Sequence, residues 1–333
     1  MGETANIAAM AEKLSAELFA EFFWKRTGPT NENWACEKPE THKVATHPSD
    51  VVFYYDEPYT RQRTYVNCDL KSYARSSINI TALRGALESL AKQVACAEVS
   101  DEWRAKFIHN GVTPAVTGLL FVYNHDGEYD KDFSAHLKAL HAAKLDLPRG
   151  SKVVVLGPED IFWLDNVRYE ICQMRGRRAG GEPLPDPEHC KYFYPQLVRR
   201  KNLQLDHAKS ATLEMLTSKL IVLEYIRPTA KDRVGVVMFY RGKGGTAEEF
   251  TYLLDYLRHF QLLQEHVDIE VKLLDASPVA AAMFQKAVQS YVDGLAAGGV
   301  QSPLAECVNR IEYKRITQVL TRFSDLELGM DYE

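Results

Sequence analysis

The densest chemical signal in this chain is the heptapeptide NCDLKSY, Asn67 to Tyr73, at the end of the alternating run RTYVN. In an extended strand, side chains two positions apart share a face, so Asp69 and Lys71 point one way and Leu70 the other. Upstream, the segment HPSD places Asp50 at the head of the apolar run VVFYY. If the two runs pair as a hairpin, Asp50 approaches Asp69 across the ladder. Adjacent carboxylates repel, and a hard divalent cation with oxygen ligands, Mg²⁺ or Mn²⁺, relieves that repulsion. Such an ion polarises a phosphoryl oxygen and lowers the pKa of a bound water. A neighbouring lysine orients or helps to deprotonate that water and stabilises negative charge as it grows. Two acids and a lysine are therefore a minimal set for metal-assisted phosphodiester hydrolysis. Alone, D-x-K is equally the pattern of a surface ion pair of little energetic worth. The assignment rests on the elements that would position it.

Those elements read in a consistent order. Apolar residues at helical spacing (Leu14, Leu18, Phe19, Phe22 and Phe23) predict a helix over 7–26, ended by Gly28-Pro29. A short strand is expected near 33–37, and strands over 49–55 and 64–70 form the hairpin. Ile80, Leu83, Leu87, Leu90 and Val94 share one face of a helix over 79–97. A helix over 101–108, a core strand over 115–123, a helix over 132–144 and a strand over 151–157 follow. This is an α/β core with a mixed central sheet flanked by helices. An Arg/Gly/Pro-rich linker is expected over 173–208. Beyond it, VGVVMFY, a helix over 247–264, IEVKLLD and a helix over 280–294 make a second α/β domain with a parallel crossover. The expected division is 1–172, 173–208 and 209–333. No internal repeat is visible along the chain. The segment RGKGG at 241–245 reads as a glycine-rich turn, with an anion contact through Arg241 and Lys243 as the alternative.

Taken together, Pro48-Ser49-Asp50, Asp69-Leu70-Lys71 and the helices before and after them resemble the PD-(D/E)XK nuclease superfamily, the restriction-endonuclease-like fold. The resemblance covers roughly residues 10–165. One residue separates the proline from Asp50, a looser match than the motif. The resemblance implies that Asp50, Asp69, the Leu70 backbone carbonyl and Glu17 of the first helix (Glu21 the alternative) hold Mg²⁺ or Mn²⁺. It implies that Lys71 serves the attacking water, and that Gln93, with Lys92 beside it, is the polar residue of the following helix that meets the nucleic acid. Tyr73 and Arg75 lie where a substrate backbone would pass; a packed aromatic and a solvent-facing arginine are the plain readings. Family practice further implies DNA rather than RNA as substrate, and restriction or bacterial antiphage defence as the setting. It also implies either a homodimer or a complex with a second defence-system protein.

Composition limits the rest. The formal net charge is −5, so any polyanion contact must come from a local basic region. Arg175, Arg177 and Arg178, then Arg199, Arg200 and Lys201, flank Tyr192, Phe193 and Tyr194. That interleaving suits backbone contact and base stacking, or else a solvated linker. The six cysteines form no CxxC pair, so a reducing, cytoplasmic setting is expected and a zinc cluster is not. His42 and His47 read as structural or surface residues, and Cys68 as a core thiol. No apolar run is long enough to span a membrane, and MGETANIAAMAEKL has no signal-peptide pattern. Two other readings stay open: a phosphoesterase acting on nucleotides, and a degenerate nuclease fold kept as a nucleic-acid or protein binding module.

Overall fold

The structure, a computed structural model, describes residues 2–176, 182–195, 208–295 and 302–320. The chain forms two compact units. The first runs to Asp165 and includes Leu320; the second is Asn166–Val319.

The first unit opens with α1 (Gly2–Glu21). It ends short of the expected residue 26 because Phe23 turns into the left-handed region, φ 63°. Trp24 then folds back to stack on Phe19, ring centroids 4.5 Å apart, and the chain leaves as β1 (Lys25–Thr27). A small insert follows: β2 (Glu32–Ala35), α2 (Pro39–His42) and β3 (Thr46–Ser49), with β2 and β3 paired as a separate two-stranded sheet. The expected hairpin forms between β4 (Val51–Asp56) and β5 (Gln62–Tyr73). Next come α3 (Ile80–Ala97), α4 (Asp101–Phe107), β6 (Thr113–Asn124), α5 (Phe133–Ala142) and β7 (Val153–Leu156). Asn79 caps α3 by accepting from Thr81 N and Ala82 N. The main sheet has the order β1-β4-β5-β6-β7, antiparallel across its first three strands and parallel across its last three.

The register assigns the two faces of this sheet. Phe19 of α1 packs edge-on against Phe53 and Phe121, which lie opposite Val66 and Leu70 of β5. Leu83, Leu87, Leu90 and Val94 of α3 pack with Tyr65, Leu120 and Val122, on the face of Asn67, Asp69 and Lys71. α3 sits close because Gly118 has no side chain: a Cβ there would lie 2.8 Å from Val94.

The second unit begins within α6 (Pro158–Gly176). Its sequence shows no clean apolar face, so periodicity does not announce it, yet Leu164, Val167, Ile171 and Met174 are buried. There follow β8 (Cys190–Tyr192), α7 (Leu213–Leu216), β9 (Leu220–Ile226), β10 (Val234–Tyr240), α8 (Ala247–His259), β11 (Val267–Leu273), α9 (Ala280–Leu295), α10 (Pro303–Asn309) and β12 (Glu312–Arg315). Residues 173–176 close α6 and β8 pairs with β9. The described parts of the expected linker are thus built into this unit. The sheet order is β8-β9-β10-β11-β12, again antiparallel across its first three strands and parallel across its last three. The two units share strand order and strand sense. A repeat absent from the sequence is present in the topology.

Candidate active site and a cysteine-histidine cluster

The register explains how the first unit makes an acidic corner. The β4–β5 ladder ends at Val51↔Cys68, while β5 runs on to Tyr73 against β6. Asp50 sits just outside the ladder, between β3 and β4, and its carbonyl accepts from Asn31 N at 2.8 Å. Its side chain takes the place that a strand would occupy: Leu70 N–H donates to Asp50 Oδ2 at 2.7 Å. In a strand, a residue's N–H and C=O point to the same edge, so the Leu70 carbonyl faces Asp50's edge too.

Asp69 is 6% exposed, with Lys71 Nζ 2.5 Å from its Oδ1. Burial, and then the hydrogen-bonded carboxyl of Asp50, raise Asp69 to about 6, although Lys71 pulls the other way. Burial works against the charge on Lys71, but Asp69, then Asp50, outweigh it and hold the ammonium above its ordinary range. Lys71 is therefore charged at neutral pH, a donor rather than a base. Tyr73 lies half-buried on the same face, raised by its burial and sensing both Lys71 and Asp69. It also packs against the α3-side core. The fold thus brings Asp50, Asp69, Leu70, Lys71 and Tyr73 together. Cys68 is a buried core thiol.

The other expected site residues lie elsewhere. Glu17 is half-buried on α1, the helix on the opposite face of the sheet from Asp69 and Lys71. Gln93 was expected at nucleic acid; it is 2% exposed and accepts from Asn67 Nδ2 at 3.1 Å. Burial makes it a brace between α3 and β5 rather than a contact surface. Arg75 donates from its backbone to Asp126 and pairs with Asp130 at 2.8 Å, so its guanidinium is already engaged. Arg175 is half-buried at the end of α6. Arg177, Arg178, Arg199, Arg200 and Lys201 fall outside the described residues. By alternation Asn67 also lies on the face of Asp69. Its Oδ1 is buried with no hydrogen-bond partner.

A second cluster corrects the expectation that histidines and cysteines are merely structural. Cys36, His42, His47 and Cys96 are all buried, and one potential ligand atom from each lies within 4.8 Å of the others. Burial, then the positive charges of Lys92 and Lys38, lower His42. Burial, then His42, lower His47 to about 4. Both imidazoles are neutral at pH 7, the form that coordinates metal. The cluster was hidden because Cys96 comes from α3, far along the chain. The visible signal was Cys36, His42 and His47 within one short insert.

Ser49 fixes the junction between the two sites. It is fully buried, and its Oγ accepts from Trp34 Nε1 at 3.0 Å and from Trp103 Nε1 at 3.2 Å. Two indoles thereby hold the residue immediately before Asp50.

Residues 1–160 match the family described as GAPS4 protein PD-(D/E)XK nuclease domain, named for a phage-defence-associated protein. No curated protein matches the chain. With the hairpin, the mixed sheet and that match in place, the first 160 residues are a domain of the PD-(D/E)XK nuclease superfamily.

Proposed function

We propose that the first unit is a metal-dependent nuclease that hydrolyses phosphodiester bonds, in DNA rather than RNA, as part of antiphage defence or restriction in the cytoplasm. The observation that carries this reading is the pairing of the Asp50 and Asp69 carboxyls at the end of the β4 ladder, with Lys71 on Asp69. The donor set fits a hard cation. The nearly buried Asp69 carboxyl, beside that of Asp50, keeps its proton up to about pH 6 and gains from a dication above it. Asp50, Asp69 and the Leu70 carbonyl would hold Mg²⁺ or Mn²⁺. A bound ion supplies charge neutralisation at a phosphoryl oxygen and a more acidic water. Lys71, held charged, would donate to that water or to a phosphate oxygen. Tyr73 would flank the substrate backbone. Assembly as a homodimer, or with a second defence-system protein, belongs to this proposal.

The test is cleavage of supercoiled plasmid, linear duplex and single-stranded RNA by purified protein with Mg²⁺, Mn²⁺ or EDTA. Metal-dependent cleavage of DNA, lost in Asp69→Ala and Lys71→Ala with the circular-dichroism spectrum retained, is the expected result. Undiminished cleavage by both variants would place the chemistry elsewhere.

A second reading applies to the second unit, which we propose to be a nucleic-acid binding module. Its corresponding corner carries cations. Leu220 pairs with Tyr240, and one step further Arg241 N donates to Lys219 O at 3.0 Å. Lys219 and Arg241 thus correspond to Asp50 and Asp69, and Lys243 follows Arg241 by two residues in the turn, as Lys71 follows Asp69 along its strand. Duplex binding by the Asp69→Ala protein, weakened by Arg241→Glu, is the expected outcome; unchanged binding would remove this reading.

A further inference from the structure

We infer that Cys36, His42, His47 and Cys96 form a structural zinc site that clamps the β2–α2–β3 insert onto α3. The argument is geometric. Tetrahedral Zn²⁺ with Zn–S of about 2.3 Å and Zn–N of about 2.0–2.1 Å requires S···S edges of roughly 3.8 Å and S···N edges of roughly 3.6 Å. Cys36 Sγ lies 3.8 Å from Cys96 Sγ, and His42 Nδ1 lies 3.4 Å from each sulfur. These are three edges of one tetrahedron. The fourth vertex falls to His47, whose ring centroid is 5.6 Å from that of His42. Its Nε2 is buried and has no hydrogen-bond partner. An orphaned imidazole nitrogen beside two thiols and a second imidazole is what a coordination shell leaves behind when its ion is taken away.

The surroundings suit thiolate ligation. Lys38 N–H points at Cys36 Sγ, 3.4 Å away, the backbone contact that stabilises a metal-bound sulfur. Two sulfurs and two imidazoles are soft to borderline donors, which select zinc over Mg²⁺. Four protein ligands, all buried, leave no open position for water. The site is therefore closed and structural, chemically distinct from the carboxylate corner.

Its consequence is positional. Cys36 follows β2, His42 ends α2, His47 lies in β3, and Cys96 is near the end of α3. A bound ion ties three points of the insert to the helix that packs on Asp69's face. His47 is three residues before Asp50, so the clamp fixes the strand that delivers that carboxylate. The zinc site itself does not depend on the nuclease reading; only this consequence does.

Elemental analysis of the full chain, purified without a metal-affinity tag, tests the site. About one zinc per chain is expected, retained in Asp69→Ala and lost in Cys36→Ser/Cys96→Ser. Should that double variant fail to fold, the wild-type protein decides the matter alone. After zinc is removed and Co²⁺ added, it should show the intense visible bands and sulfur charge transfer of a tetrahedral thiolate site. Wild-type protein that neither carries zinc nor takes it up, a weak octahedral cobalt spectrum, or full zinc content in the double variant would overturn the proposal. Loss of cleavage with zinc content intact would count against the carboxylate site and leave the clamp standing.

Discussion

The two units place the same strands in the same order, and the corner at the end of the central hairpin has opposite charge in each. In the first unit β5 continues past the ladder, so Asp69, Lys71 and Tyr73 line one face beside Asp50. In the second, β10 stops at Tyr240 and the RGKGG turn carries the chain away. Gly244 there has φ +62°, and a Cβ would lie 2.6 Å from the Phe250 ring, so glycine is required for the turn to close. Lys219 and Lys243 are exposed. Topology supplies a corner; the residues just outside the ladder set its charge.

A second contrast concerns two acid-lysine pairs. Glu270-Val271-Lys272 on β11 has the same spacing as Asp69-Leu70-Lys71. Lys272 is 1% exposed, 2.9 Å from Glu170 and 3.1 Å from Glu270. Glu170 of α6 closes over this face of β11, which shuts the pair off from any substrate. Lys71 retains 31% of its side-chain exposure and one paired acid. The closed pair serves the fold, and the open pair is free to serve chemistry.

The sharpest way to break the first contrast is to exchange the corners. Asp69→Arg should reduce DNA cleavage by about a thousandfold or more, since it removes a metal donor and adds a charge that repels the ion. Arg241→Asp should leave the rate at saturating DNA unchanged. Equal losses in both would show that the corners are not functionally distinct. The second contrast is tested by stability. Lys272→Ala should lower the urea unfolding free energy by about 3–5 kcal/mol, because it removes the buried cation paired with both Glu170 and Glu270. Lys71→Ala should lower it by about 1 kcal/mol or less at pH 5, where Asp69 can take up a proton instead. Similar costs for both would remove the distinction between closed and open pairs.

A smaller effect follows from the raised carboxyl of Asp69. Its folded-state pKa, about 6, exceeds the ordinary 3.8. In metal-free protein this group therefore contributes stability that is fully present below the ordinary value and lost as pH rises through 6. A dication replaces the proton, so the increase in melting temperature on adding Mg²⁺ should be larger at pH 8 than at pH 5. Below pH 6, apparent Mg²⁺ affinity should fall by about tenfold per pH unit. A thermal shift independent of pH would dissociate Asp69 from the metal. Least in size, Lys219→Ala, Arg241→Ala and Lys243→Ala should each weaken duplex binding about two- to tenfold. Each should also reduce the slope of log affinity against log salt by about one. An unchanged slope would leave the cationic corner without a nucleic-acid role.

Much of the first unit was legible because its signals are local. Period-two alternation identified β5 and assigned Asp69 and Lys71 to one face, and helical spacing identified α3. The order of those elements with Asp50 supported the superfamily resemblance that the match over residues 1–160 shows. α6 was not legible, because its buried residues are mixed with charge and depend on tertiary contacts for their burial. The burial of Gln93 is not legible either, because a polar residue in a helix carries no mark of which way it faces.

By itself, the sequence determined which segments become strands and helices, which side chains share a face, and that two acids and a lysine could meet at one hairpin. The reason is that backbone periodicity and turn chemistry act over a few residues. Only the tertiary structure decided that Asp50 stands in for a missing strand partner at Leu70, that Cys96 completes a cluster begun by Cys36, and that two unrelated stretches share one topology. It alone separated Asp69-x-Lys71 from Glu270-x-Lys272. Spacing is identical in the two, and access to solvent is set by what packs on the face of the strand: Glu170 of α6 meets Lys272, while Lys71 stays partly exposed.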